Sequence, residues 1–213
     1  MFERIEVERR FVASELRIVE EDDGQTHIRG YGAVFNSRSE DLGGFIELIA
    51  PGAFAKTLQE ADVRSLQNHD PNYVIGRSTA GTLTLREDDH GLYYDAIAPD
   101  TQWARDLIVS MRRGDMNQSS FGFRTVRDSW AADEERDVII RTLHEVQLYD
   151  VGPVTFPAYP HTSSEARDRA SAMATGTPPA PPEDGHPEGD GDEGEAQVSV
   201  DILRRRLDLL EAE

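Results

Sequence analysis

Apolar and polar residues alternate along most of the first 163 positions, as in SELRIVEE (14–21), THIRGYGAVF (26–35), GTLTLRE (81–87), GLYYDAIA (91–98), QSSFGFRTV (118–126) and RDVIIRTLHEVQLYDV (136–151). Side chains alternate across a strand, so period two predicts half-buried β-strands, and the Gly, Asn and Asp clusters between the runs predict tight turns. Two stretches break the rhythm. PGAFAKTLQEA (51–61) carries Pro51 near a helix start. TQWARDLIVSMRRG (101–114) spaces Trp103, Leu107 and Met111 at four residues, behind Thr101 as N-cap candidate and ahead of Gly114 as a stop. The pattern predicts a mainly β domain with α (an α+β fold), an antiparallel β-barrel surrounded by a few helices.

The rhythm ends near residue 165. Residues 166–197 are rich in Pro, Gly and acids, and from Glu183 to Glu195 no lysine or arginine balances the carboxylates, so this stretch is expected to be a disordered linker. Residues 198–213 place Val200, Leu203, Leu207 and Leu210 at helical spacing, which predicts a short amphipathic helix that needs a partner surface. The expected organisation is one domain over 1–165, the linker, and the terminal helix.

Charge and composition narrow the function. A net charge of -19, with 22 Lys and Arg against 41 Asp and Glu, excludes a phosphate-binding surface of the kind nucleic acids require. With Cys 0, covalent catalysis falls to Ser, Thr, Lys or a carboxylate, and thiolate zinc sites are excluded. No apolar run approaches the about 18 residues of a membrane span, and the N-terminus lacks a signal-peptide pattern, so the expectation is a soluble cytoplasmic protein.

The candidate nucleophiles are Ser119 and Ser120. If 118–123 is a strand, Ser119, Phe121 and Phe123 share the buried face, while Ser120 lies on the other face beside Gly122, whose missing side chain would leave room for a substrate carbonyl. The alternative is a polar strand face without chemistry, since no G-x-S-x-G elbow is present. Among six histidines, His69 lies before the Asp70-Pro71 turn, at the end of a predicted strand, where a side chain projects over a cleft. No H-x-H or H-E-x-x-H pairing suggests a metal, and no cofactor is expected. For a carboxylate to orient the base, strict alternation puts Glu145 and Asp150 on opposite faces of their strand, with His144 on the side of Asp150.

Four blocks in this order, IRGYGAVFNSRSEDLGGFIELIAPGAFAKTL, LQNHDPNYVIGRSTAGTLTLREDDHGLYYDA, GDMNQSSFGF and EVQLYDVGPVTFPAYPHT, resemble the HK97-type prohead maturation proteases of tailed bacteriophages over residues 28–162. The resemblance implies a serine endopeptidase with a fold like the herpesvirus assemblins. It assigns His69 of NHD as base and Ser120, directly before Phe-Gly-Phe, as nucleophile. Assemblins use a second histidine as third member, and its spacing from the serine lands here on Glu145, with Asp150 and His144 as the lesser candidates. The segment Gly152-Pro153-Val154 stands where assemblins present oxyanion-hole arginines; it holds no arginine, which leaves backbone N–H groups, Pro153 excepted.

The implied partners are the precursor of the major capsid protein and its scaffold segments, inside the immature prohead in the host cytoplasm, with room for a homo-oligomer, and no nucleic acid or membrane. Cleavage of the chain itself belongs to the same expectation. The rival readings are a catalytically inactive, protease-like internal scaffolding protein, for which the acidic tail and terminal helix argue, and an unrelated cytosolic hydrolase.

Overall fold

The structure is a computed structural model that describes residues 7–12, 16–133, 135–156 and 164–175. The chain divides into two units, Met1–Pro179 and Ala180–Glu213. The terminal helix expected over 198–213, and the linker beyond residue 175, lie outside the described residues.

The described strands are β1 (Glu8–Val12), β2 (Arg17–Glu20), β3 (Thr26–Val34), β4 (Phe45–Ile49), β5 (Arg64–Leu66), β6 (Val74–Arg77), β7 (Leu83–Glu87), β8 (Gly91–Ile97), β9 (Gln118–Asp133) and β10 (Val138–Val154). One sheet runs β1-β9-β10-β5-β6 with β4 also on β10, and the other runs β2-β3-β8-β7. The fold is therefore mainly β with few helices. Its described strands pair as two separate sheets, and the hydrogen-bonding order closes neither into a barrel.

The period-two runs are where the strands form, because each has one face to bury. Phe121, Phe123, Val146, Leu148 and Val151 of the first sheet and Ile28, Leu92, Tyr94 and Ala96 of the second belong to one core cluster. Phe121 and Phe123 stack with ring centroids 4.9 Å apart, and Phe54 meets Phe121 edge-on at 5.6 Å. Fully burying each such ring is worth about 1.5–3 kcal/mol, which fixes the face of β9 that cannot carry chemistry.

Helix α2 (Gln102–Arg112) forms as predicted. It buries Ala104, Leu107, Ile108 and Met111, and Gly114 follows with φ 83°. Thr101 takes the N-cap backbone position, yet its hydroxyl makes no capping bond. The other predicted helix contracts to turns over 51–56 and a single helical turn, α1 (Thr57–Glu60). One expectation fails at the C-terminal side. Residues 166–175, read as the head of a linker, lie in helix α3 (Ser164–Thr175), whose Ala166 and Ala170 pack into a second cluster with Leu42, Phe45 and Ile139. Small side chains four apart let this helix approach closely, a signal that linker composition concealed.

Strand β1 is tied down by buried charge. Arg10 bonds Glu47 at 2.7 Å and Glu8 at 2.9 Å, while Arg141 bonds Glu8 at 2.8 Å and Glu47 at 3.1 Å. These four side chains join β1, β4 and β10. Burial pushes the Glu8 carboxyl up, but the Arg141 hydrogen bond and charge, with Arg10 behind them, outweigh it and hold Glu8 below the ordinary glutamate range. At Glu47 burial wins over the same arginines, and its carboxyl is raised.

Candidate active site

Four elements deliver the site. Strand β9 carries Ser120 and Gly122 on the face away from the two phenylalanines. Strand β10 runs antiparallel beside it, with Gly152 opposite Ser120 and Asp150 opposite Gly122. Strand β5 runs parallel to β10, Asp150 pairing with Arg64 and Val151 with Ser65. A Cβ on Gly152 would run into the Leu66 carbonyl, so glycine is what lets β5 close on β10 here. Beyond Leu66 the chain turns back, and the turn carries His69.

That turn has an uncommon shape. The Asp70 N–H donates to the Gln67 carbonyl at 3.0 Å, and the two central residues, Asn68 and His69, have φ 55° and 57°. Positive φ at both central positions defines a type I′ turn, which favours Asn-Gly; histidine in the second place carries left-handed strain of about 1–3 kcal/mol. Strain of this kind persists where surrounding structure over-determines it.

The turn points the imidazole into the sheet. His69 Nε2 lies 2.7 Å from Ser120 Oγ, and His69 Nδ1 is hydrogen-bonded to Asp150 Oδ1. The His69 side chain is 6% exposed and the Asp150 side chain 12%, so the pair is largely shielded from water. Ser120 is fully buried, and its hydroxyl also lies 2.9 Å from the Arg10 carbonyl of β1. The neighbouring Ser119 points to the core, as alternation predicts, where its hydroxyl meets Tyr94 Oη at 2.9 Å. Burial holds the Tyr94 phenol above its ordinary range, against the Ser119 bond.

The structure therefore brings His69 and Ser120 together, and the carboxylate behind the imidazole is that of Asp150. Glu145, placed third in the set by spacing, instead faces Lys56 Nζ at 3.4 Å and lines a surface cleft with Thr57, Glu60 and Arg124. His144 bonds Ser129 Oγ at 2.7 Å on an exposed part of the hairpin. The reason is the register of β10. Between Leu148, opposite Phe123, and Asp150, opposite Gly122, the ladder takes in an extra residue, Tyr149. Leu148 and Val151 both reach the core although three residues apart, so the bulge moves Asp150 onto the face of Ser120.

Gly122 has a different use from the one expected. A Cβ there would lie 2.5 Å from Asp150 Oδ2, so the missing side chain makes room for this carboxylate. Gly152-Pro153-Val154 is strand, paired with Ser120, Ser119 and Gln118. Among the described residues no group of three or more His, Cys, Asp or Glu could hold a metal ion, and no helix is long and apolar enough to cross a membrane.

A buried Ser-His-Asp chain in this order supplies a hydroxyl, a base at hydrogen-bonding distance and a group that fixes the tautomer of the base, the combination used for acyl transfer. No curated protein sequence matches the chain significantly. Among solved structures, the bacteriophage T4 capsid assembly protease, gp21, is similar at 13% identity and a TM-score of 0.43, over 69% of this chain and 98% of that one. The family model described as caudovirus prohead serine protease matches residues 13–175, a span that holds all three residues of the hydrogen-bonded chain and ends with the last residue of α3, and the chain belongs to that family.

Proposed function

We propose that this chain is the serine endopeptidase of capsid maturation, with an assemblin-like active domain. It hydrolyses peptide bonds in scaffold segments and in the precursor of the major capsid protein, itself included, within the immature prohead in the host cytoplasm. The observation that carries the reading is the continuous hydrogen-bonded chain from Asp150 through His69 to Ser120.

Ser120 Oγ attacks the scissile carbonyl while His69 Nε2 takes its proton; the C–N bond then breaks as His69 returns that proton to the leaving amine. Water repeats the sequence on the acyl-enzyme, freeing the acid and restoring the hydroxyl. Asp150 keeps the Nδ1 proton in place, so that Nε2 is the free base, and stabilises the imidazolium. The Ser120 hydroxyl has one proton and two neighbours. While the proton points at the Arg10 carbonyl, His69 cannot take it, so attack requires that contact to be given up and space to open around a fully buried serine.

The test is incubation of the purified chain with capsid precursor, followed by mass spectrometry of the products. The wild-type chain is expected to cleave and Ser120→Ala to leave the precursor intact with an unchanged circular-dichroism spectrum. Equal processing by both would overturn the reading.

A further inference from the structure

We infer that Asn68 and Thr155 form a clamp that positions His69, and that the rate of the serine's chemistry depends on it. This rests on the proposed role of Ser120 and His69 and adds two residues to it.

Asn68 is tied to the end of β10 at three points. Its backbone N–H donates to the Pro153 carbonyl at 3.0 Å, its side-chain Nδ2 donates to Thr155 Oγ1 at 3.1 Å, and its Oδ1 accepts from the Thr155 N–H at 2.8 Å. Both side-chain contacts end on one residue, so the amide of Asn68 closes a ring with Thr155. Pro153 and Thr155 flank the strand position opposite Gln118, and Gly152 lies opposite Ser120. The clamp thus anchors the histidine turn to the same stretch of β10 that is paired with the nucleophile.

The need for a clamp follows from the backbone. His69 has φ 57° without the freedom of glycine, so its conformation relaxes unless its neighbours hold it. Asn68, at φ 55°, is of a residue type that tolerates the left-handed region, and its side chain provides the second and third attachments. Asn68 and Thr155 are exposed to solvent, so these bonds add little to global stability, each neutral bond being worth about 0.5–1.5 kcal/mol even in favourable settings. Their effect is on where Nε2 lies relative to Oγ. A displacement of about 1 Å at a reacting pair costs up to about 100-fold in rate.

The experiment is labelling of the full chain by a fluorophosphonate probe, with the maximal inactivation rate and the half-saturating probe concentration measured separately. Asn68→Gly keeps the backbone geometry and loses both side-chain bonds; Thr155→Val keeps the shape and loses the hydroxyl; Thr155→Ser restores it. The maximal rate is expected to fall about 10-fold or more in Asn68→Gly and severalfold in Thr155→Val. Half-saturation and melting temperature should stay at wild-type values, Thr155→Ser should recover the rate, and the double variant should be no slower than Asn68→Gly alone. Wild-type rates in both single variants, with Ser120→Ala unlabelled, would overturn the clamp and leave the peptidase reading standing. Labelling of Ser120→Ala at the wild-type rate would overturn both.

Discussion

The carboxylate of Asp150 occupies the space that a side chain at residue 122 would need. A Cβ on Gly122 would come within 2.5 Å of Asp150 Oδ2 and 3.5 Å of Val7 Cγ1. The cheapest relief is rotation of Asp150 away from His69. Gly122→Ala is therefore expected to fold, at a cost of about 1–3 kcal/mol, and to lose about 100-fold or more in peptide hydrolysis. Denaturant melts beside initial rates check this; an active Gly122→Ala enzyme would mean that Asp150 is not held where the structure has it.

The two candidate carboxylates separate cleanly by substitution. Asp150→Asn leaves the shape of the site but lets the imidazole take the wrong tautomer, so kcat should fall about 10,000-fold. Glu145→Gln removes a half-exposed partner of Lys56, an interaction worth about 0–1 kcal/mol, and should keep activity within about twofold. Parallel assays on one peptide decide between them, and the reverse ranking would restore Glu145 to the role that spacing suggested.

Behind Ser120, the Tyr94–Ser119 bond links the two sheets across the core. Tyr94→Phe leaves the buried Ser119 hydroxyl without its partner and should cost about 1–3 kcal/mol, whereas Tyr94→Phe combined with Ser119→Ala removes both polar groups and should recover most of that loss. Chemical denaturation of the two singles and the double measures the coupling directly.

The buried quartet makes stability depend on acid. Glu8 is held below the ordinary glutamate range, so its contribution is fully present above about pH 4.3 and is lost as pH falls through its folded value. Glu8→Gln removes one of the two buried carboxylates that Arg10 and Arg141 share, leaving Glu47 to face both guanidiniums, and should cost about 3 kcal/mol at pH 7. The gap in melting temperature between wild type and Glu8→Gln should then narrow as pH drops below about 4.3. Glu47, raised chiefly by burial and in part by the Glu8 charge itself, contributes with the opposite sign in the wild-type chain. A gap that is constant with pH would contradict the ion-pair account.

Much of this could be read from residue order. Alternation put Ser120 and Ser119 on their correct faces because Phe121 and Phe123 leave no doubt about which side is buried. His69 came from the resemblance of NHD, since nothing in composition distinguishes one turn histidine from another. The carboxylate that meets His69 was hidden by the extra residue in β10. Leu148 and Val151, apolar and three apart within a period-two run, carried the signal of a bulge, and strict counting passed over it. Helix α3 was masked differently, its alanines and charges reading as part of the acidic stretch that follows.

The strand from Gln118 to Arg124 gives adjacent residues unrelated jobs. An alanine scan across it would beat in two-residue time: substitutions at Ser119, Phe121 and Phe123 would deplete folded protein, and those at Ser120 and Gly122 are expected to yield folded but silent molecules. An assay that scores only surviving product would blur these into one uniform block of sensitivity, and measuring abundance alongside turnover would resolve them into two interleaved codes.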